Sequence, residues 1–341
     1  MEASSTDALG DAADAAVEAD AVPELGPRAV TYPYARIERP EPTPSDGPDP
    51  YGNPDPEWLR IDWREHVHRI AIEGTEVTYA EIGSGTPIVF VHGLGGCWQN
   101  FLENLPHFAA AGRRAIALDL PGFGHSPMPP WQISVSAYGR LLNSFCAALG
   151  LTDVVLVGNS LGGFIAAETA ISRPQWIDRL VLVSAAGISH ATLDRRPVMA
   201  GARMLNLFNP VAIQLNVGGL RRPGLRQMAF QGVFHHPQQV RRELLYEFSL
   251  NGLGRPAFLP AVGALTGYDI LDRLGEIDEP TLLVWGRDDL VVPAADAPGY
   301  QARIANSELV IFDECGHVPM AERPTRFNRL VGRFIGLEEK S

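Results

Sequence analysis

Lysine is almost missing from this sequence. Lys340 is the only one among 28 basic residues, and 40 acidic residues leave a formal net charge of −12. That balance argues against a protein that grips nucleic acid by neutralising phosphates; it favours solubility and says little about fold. Cysteine is scarce too. Cys97, Cys146 and Cys315 are odd in number, widely spaced and set in or beside apolar segments, which argues against a disulfide framework and for a reduced, cytoplasmic setting. Residues 1–25 have neither the basic start nor the apolar core of a secretory signal, and no apolar run has bilayer length, so no stable membrane insertion is expected. Metal spacing is absent as well. His66 and His68 lie in or before a strand, and the adjacent His235 and His236 lack further ligands. Without a G-x-G-x-x-G after a strand or a phosphate-loop lysine, neither metal nor cofactor is expected, and the chemistry needs only water.

What is present builds a core. With 45% hydrophobic and 20% charged residues, the chain can fold as one large domain or two small ones. Residues 1–62 are acidic and proline-rich; "RPEPTPSDGPDPYGNPDPEW" cannot sustain a helix or an inner strand, so a disordered or loosely draped extension is predicted. From Val67, "VHRIAIE" and "EVTYAEI" alternate around Gly74 as an antiparallel hairpin does. "PIVFVHG", "RAIALDL", "VVLVGN", "RLVLVSA", "TLLVWG" and "ELVIFDE" are short, fully apolar runs. Between them lie segments of helical spacing such as "VSAYGRLLNSFCAALG" and "LGGFIAAETAIS". The pattern predicts an α/β fold, a mostly parallel sheet with helices on both faces.

Between Ser184 and Thr281 no convincing strand occurs, and a loop of that length is rare. An inserted helical cap over 189–269 is predicted, with the core at 63–188 and 270–338. The cap is locally basic, carrying Arg195, Arg196, Arg203, Arg221, Arg222, Arg226, Arg241, Arg242 and Arg255 against Asp194, Glu243 and Glu247. Such a cap on an acidic protein could meet an anionic substrate, a lipid surface or the chain's own acidic tail; a solvated helix face explains the charge most simply. Met199, Met204, Phe208, Met228 and Phe230 read as core.

The chemistry centres on "LVGNSLGGF". Gly158, Asn159, Ser160, Leu161 and Gly162 match G-x-S-x-G after an apolar strand and before a helix, where a sharp turn demands small neighbours two positions either side. A serine hydroxyl needs a base, and the base needs an orienting group. His317 in "DECGHVPMAERP" follows the last strand, at a carboxyl end where such sheets place their chemistry. His92, His125, His235 and His236 read as structural or surface groups. "WGRDDLVVP" offers Asp288 and Asp289 at another strand end. The N–H of Leu161, at a helix N-terminus, is placed to receive a developing oxyanion.

These motifs, in this order from about Val67 to Ile335, resemble the α/β-hydrolase superfamily. "VHGLGG" and "DLPGFGHS" extend the similarity to the branch with epoxide hydrolases, dehalogenases, esterases and carbon–carbon (meta-cleavage product) hydrolases. The family's G-x-x-D-x-x-x-P pattern, met by Gly286, Asp289 and Pro293, implies Asp289 as the acid and Asp288 as a capping or ion-pairing neighbour. It also implies Leu94 as a second oxyanion donor beside Leu161. Trp98, Val291 and Val318, one step beyond the motifs, are candidate pocket walls.

Ser160 stands where dehalogenases and epoxide hydrolases carry an aspartate, so attack on a carbonyl is expected. The leading expectation is a serine hydrolase, carboxylesterase- or lipase-like, that cleaves a small, apolar, ester-like substrate (or a lactone or thioester) through an acyl-enzyme. The alternative is a carbon–carbon bond hydrolase of meta-cleavage products, which "GNSLGG" and the "WGRDD" loop resemble. Against it, those enzymes commonly carry tryptophan where Val318 follows His317. The third is a non-catalytic ligand-binding member of the fold. Nothing in the sequence points to a particular oligomeric state.

Overall fold

The computed structural model describes residues 39–172, 174–192, 195–203, 220–251, 255–266 and 268–337. Its sheet starts with the hairpin. β1 (Val67–Ile72) and β2 (Thr75–Gly83) pair antiparallel with Ile72 opposite Thr75. The turn residues Glu73 and Gly74 take φ of 52° and 72°, the left-handed backbone that a two-residue hairpin needs to match strand twist.

The apolar runs become β3 (Pro87–Val91), β4 (Arg114–Leu118), β5 (Val154–Asn159), β6 (Ile177–Val183), β7 (Thr281–Gly286) and β8 (Ser307–Phe312). Every residue of β3, β5 and β7 is buried, as a parallel strand covered on both faces must be. The eight strands run in the order β1-β2-β4-β3-β5-β6-β7-β8. β2 is antiparallel to both neighbours, and pairing is parallel from β4 to β8.

Two apolar layers sandwich this sheet. Helices α2 (Val135–Ala148), α3 (Leu161–Ile171) and α8 (Ala297–Gln301) share one of them. Ser134 caps α2 by accepting the Ala137 N–H, and Val135, Tyr138, Leu142 and Phe145 lie buried at helical spacing. On the other face, α1 (Leu105–Ala110) and α10 (Pro324–Phe334) cover Phe90. Phe90 lies 5.0 Å from Phe101 and 5.9 Å from Phe108, centroid to centroid, and burying each ring stabilises the fold by roughly 1.5–3 kcal/mol.

After β3 the chain places β4 on one side of it and β5 on the other. Loops leaving β3 and β5 therefore diverge, opening a crevice at the carboxyl ends of these strands. Between β6 and β7 no strand occurs among the described residues. Helical residues 195–203 (α4) are followed by α5 (Pro223–Phe230), α6 (Arg242–Asn251) and α7 (Phe258–Leu265). The cap expected over 189–269 falls on these elements; 204–219 and 252–254, with Met204 and Phe208, lie outside the described residues. Phe230 and Leu244 join the layer of α1 and α10, whereas Ala261 and Leu265 join that of α2 and α3. Met228 is 71% exposed, so it is not the core residue its composition suggests. No helix among the described residues is long and apolar enough to cross a membrane.

The N-terminal extension departs from expectation. Disorder or loose draping is predicted over 1–62, but residues 39–62 form a strap fixed at defined points. Thr43 N donates to Ile311 O at 2.8 Å and Thr43 Oγ1 accepts Ile311 N at 3.0 Å. Arg326 reaches Asp49 at 3.2 Å, and Trp58 Nε1 donates to Glu103 at 2.9 Å. Closely spaced prolines exclude helix and inner strand, yet they allow an extended segment whose polar groups the body satisfies. Residues 1–38 lie outside the described residues.

Candidate active site

Ser160 sits between β5 and α3 with φ 57° and ψ −118°, a backbone that L-residues rarely adopt and that costs on the order of 1–3 kcal/mol. Its neighbours make the turn possible. A Cβ on Gly158 would run into the Gly162 carbonyl, and one on Gly162 would run into Val91 O. The strained turn is closed by Ser160 N to Val183 O at 2.9 Å, while Ser160 O accepts from Phe164 N and Ala186 N at 3.0 and 3.1 Å.

Facing loops bring the other groups in. His317 Nδ1 lies 2.8 Å from Asp289 Oδ2. Asp289 Oδ1 already accepts the N–H groups of Val291 and Val292 at 2.8 and 2.9 Å, which leaves Oδ2 for the imidazole. An ionised carboxylate only accepts, so Nδ1 carries the proton and Nε2 is the basic nitrogen. Ser160, Asp289 and His317 are 6%, 7% and 6% exposed, withdrawn from bulk water yet not sealed. Asp288 turns away: its N–H bonds Cys315 O at 2.9 Å and its carboxylate pairs with Arg39 of the strap. Asn159 Nδ2 donates to Val183 O at 3.1 Å and to His317 O at 3.2 Å, joining the residue before the serine to the histidine turn.

The loop after β3 runs against the serine, since a Cβ on Gly93 would lie 2.8 Å from Ser160 Cβ. Leu94 follows directly, and Leu161 is the first residue of α3. The loop is fixed by two buried groups. Asp119 accepts from Trp98 N at 2.7 Å and His125 N at 2.8 Å. Leu120 N donates to His92 Nε2 at 3.0 Å, with Nδ1 2.7 Å from Gly93 O. Burial pushes the pKa of His92 down, so the ring stays neutral and stitches the loops after β3 and β4 together. Of the candidate walls, Trp98 packs 5.2 Å from the Trp63 ring of the N-terminal region. Val318 is buried next to His317, whereas Val291 is 39% exposed and meets Asp289 through its backbone.

A family model described as "alpha/beta hydrolase fold" matches residues 86–324. The chain belongs to that family. Curated relatives of this α/β hydrolase include the 2-hydroxy-6-oxo-6-phenylhexa-2,4-dienoate hydrolase of Burkholderia cepacia, 30% identical over 266 residues that span 75% of this chain and 89% of the relative. The 2-hydroxy-6-oxononadienedioate/2-hydroxy-6-oxononatrienedioate hydrolase of Klebsiella pneumoniae is 33% identical over 263 residues, 73% of this chain and 86% of the relative. Among solved structures, a bacterial membrane phospholipase A described as a virulence factor superposes with a TM-score of 0.60 at 27% identity, covering 79% of this chain and 85% of that one.

The α/β hydrolase brings two further groups to the site that no motif marks. His190, on the short turn Ser189–Thr192 after β6, has its pKa pushed down to about 4, by burial first and then by the charge of His317, with Asp289 pulling the other way. Its buried Nδ1 has no partner among the described residues. The turn itself is held, because Ser189 N donates to Asp296 at 3.0 Å. Glu322 closes α9 (Pro319–Glu322) and accepts the N–H groups on both sides of His317, Gly316 at 3.0 Å and Val318 at 3.2 Å. An acid on a short helix directly after the histidine turn is the sequence signal that could have singled it out. From the insertion, α6 packs on the turn Trp98–Phe101, and Glu247 and Arg255 bring opposite charges to bear on the buried Cys97 thiol. No group of three or more His, Cys, Asp or Glu suited to a metal occurs among the described residues.

Proposed function

We propose that this enzyme is a serine-nucleophile hydrolase that cleaves the carbon–carbon bond beside a ketone in a 2-hydroxy-6-oxo-dienoate-like substrate. Similarity to two dienoate hydrolases, at 30% and 33% identity over about three quarters of the chain, carries the choice of bond. It reverses the order in which the sequence ranks carbon–carbon and ester cleavage.

In this reading His317 Nε2 takes the proton of Ser160 as Oγ attacks the ketone carbon. Asp289 holds the tautomer and stabilises the imidazolium. The oxyanion rests on the N–H groups of Leu94 and Leu161. Collapse of the tetrahedral intermediate breaks the carbon–carbon bond. The 2-hydroxyl proton must first move to C5, so that this carbon is saturated and its electron pair passes into the enone as a dienolate; the enolate oxygen takes the proton held by His317, and water activated by the same imidazole then releases the acyl group as a carboxylic acid. Carbon leaves only because conjugation accepts the pair, so the substrate supplies what the protein does not.

Ester hydrolysis is the second reading, since the same groups expel an alkoxide. Val318 favours it, an aliphatic side chain beside His317 where carbon–carbon hydrolases of this fold commonly carry tryptophan. The 27%-identical phospholipase A adds a structural relative that acts on esters. A panel of p-nitrophenyl esters of increasing chain length, run beside 2-hydroxy-6-oxo-6-phenylhexa-2,4-dienoate, separates the two. The dienoate should be turned over faster and Ser160→Ala should abolish both reactions; esters hydrolysed far faster than the dienoate would overturn the first reading.

A further inference from the structure

One buried carboxylate organises the turn that carries His317. Glu322 is 0% exposed, and besides the Gly316 and Val318 N–H groups it accepts that of His235 at 2.8 Å. His317 N donates to Val233 O, also at 2.8 Å. Consecutive N–H groups of the histidine turn are thus held by a single side chain and a single carbonyl. The fit leaves no slack, since a Cβ on Gly316 would lie 2.7 Å from Val233 O and 3.0 Å from Glu322 Oε1.

The remaining side-chain partner of Glu322 comes from the strap. Tyr51 donates its phenol to Glu322 Oε2 and accepts the His236 N–H at 2.8 Å. Gly52 N donates to Glu322 O at 2.6 Å. The Arg323 guanidinium lies 4.9 Å from the centre of the Tyr51 ring and bonds the carbonyls of Asp49 and Asp313 at 3.0 and 3.2 Å. The strap residues Asp49, Tyr51 and Gly52 all precede residue 86, where the family match begins.

We propose that Tyr51 is a positioning residue for His317, acting through Glu322, so that the strap is part of the catalytic apparatus. The proposal rests on Ser160 and His317 being nucleophile and base. The phenol is a neutral donor to a carboxylate that accepts best when ionised, because protonation turns one oxygen into a donor and weakens its hold on the N–H groups of Gly316, Val318 and His235. Burial pushes the pKa of Glu322 up, and the bonds from Tyr51 and the three amides pull it down. The other titratable or charged groups around the pair are His235 and His236 on the insertion turn, Cys315 before the histidine and Arg323 at the junction of α9 and α10. Losing the phenol lets Glu322 take a proton at higher pH and release its hold on the turn.

The test uses the full chain and a fluorophosphonate probe that reports activated Ser160. Tyr51→Phe keeps the ring beside Arg323 and deletes only the hydroxyl. Labelling should slow roughly tenfold near neutral pH, the scale of a small misplacement of a catalytic group. The acid limb of the labelling rate should move to higher pH, and amide hydrogen exchange at Gly316 and Val318 should quicken. Glu322→Gln should slow labelling and make a second change at Tyr51 inconsequential for the acid limb, which keeps the test open if Tyr51→Phe folds poorly. An unmoved acid limb with unchanged exchange overturns the proposal, as does a loss of labelling that is uniform in pH. Wild-type protein that does not label overturns it together with the proposed function, whereas a labelled wild type with an indifferent Tyr51→Phe overturns it alone.

Discussion

Protonating His190 is expected to weaken the fold by an amount the site itself sets. The native ring resists a proton until about pH 4, whereas the unfolded chain takes one near the ordinary value of 6.5. Above 6.5 both states are neutral. As pH falls through the window from 6.5 to 4 the unfolded state binds the proton first, so stability drops, by roughly 3 kcal/mol once both states are charged. The ring is only partly withdrawn from solvent, which makes that the upper figure. His190→Gln keeps a polar side chain and removes the titration. Urea unfolding at about pH 7.5 and about pH 4.5 should show wild type losing roughly 2.5 kcal/mol more than the variant. Burial also pushes down the pKa values of His92, His107 and His235, but both proteins share these residues and their effects cancel in the difference. Parallel losses within about 0.5 kcal/mol would refute the reasoning, and would mean that the unpartnered Nδ1 is solvated.

Asp289→Asn should keep the fold and lower turnover or probe labelling by about 10⁴, because the amide no longer selects the Nδ1–H tautomer; near-wild-type rates would move the role to Asp288 or another acid. Ser160→Gly removes the Cβ from a residue at φ 57° and should raise stability by roughly 1 kcal/mol in thermal or urea unfolding while abolishing labelling. A destabilised glycine variant would show that the turn holds no strain.

The fold was largely legible because its signals are local. Apolar runs of strand length, separated by helical spacing, imply a covered parallel sheet whatever the details, and the "EGT" turn marks the hairpin. Ser160, Asp289 and His317 could be nominated for the same reason, since each follows a strand end. What was not legible depends on contacts between distant segments. Glu322 is marked in the sequence only by its place just after the histidine turn, and its link to Tyr51, 271 positions away, shows only in the fold. His190 stands in no motif, and only the approach of the loops after β7 and β8 gives it an environment. The strap misled because composition reports the order a segment can generate alone, and residues 39–62 draw theirs from Glu103, Ile311, Glu322 and Arg326.

The bonds between Thr43 and Ile311 have a consequence beyond the active site. β8 is the last strand of the sheet, and the outer backbone of such a strand is a template for pairing with another molecule. Thr43 occupies both polar groups of Ile311, the N–H with its hydroxyl and the carbonyl with its own N–H. The strap gives this edge a guard at that point without adding a strand, and "EPTP", with a proline on either side of Thr43, cannot extend the ladder outward. Cutting the chain before Val67 would therefore unmask the N–H and carbonyl of Ile311 in the middle of the β8 edge, and loss of solubility through edge-to-edge association would accompany any loss of catalysis.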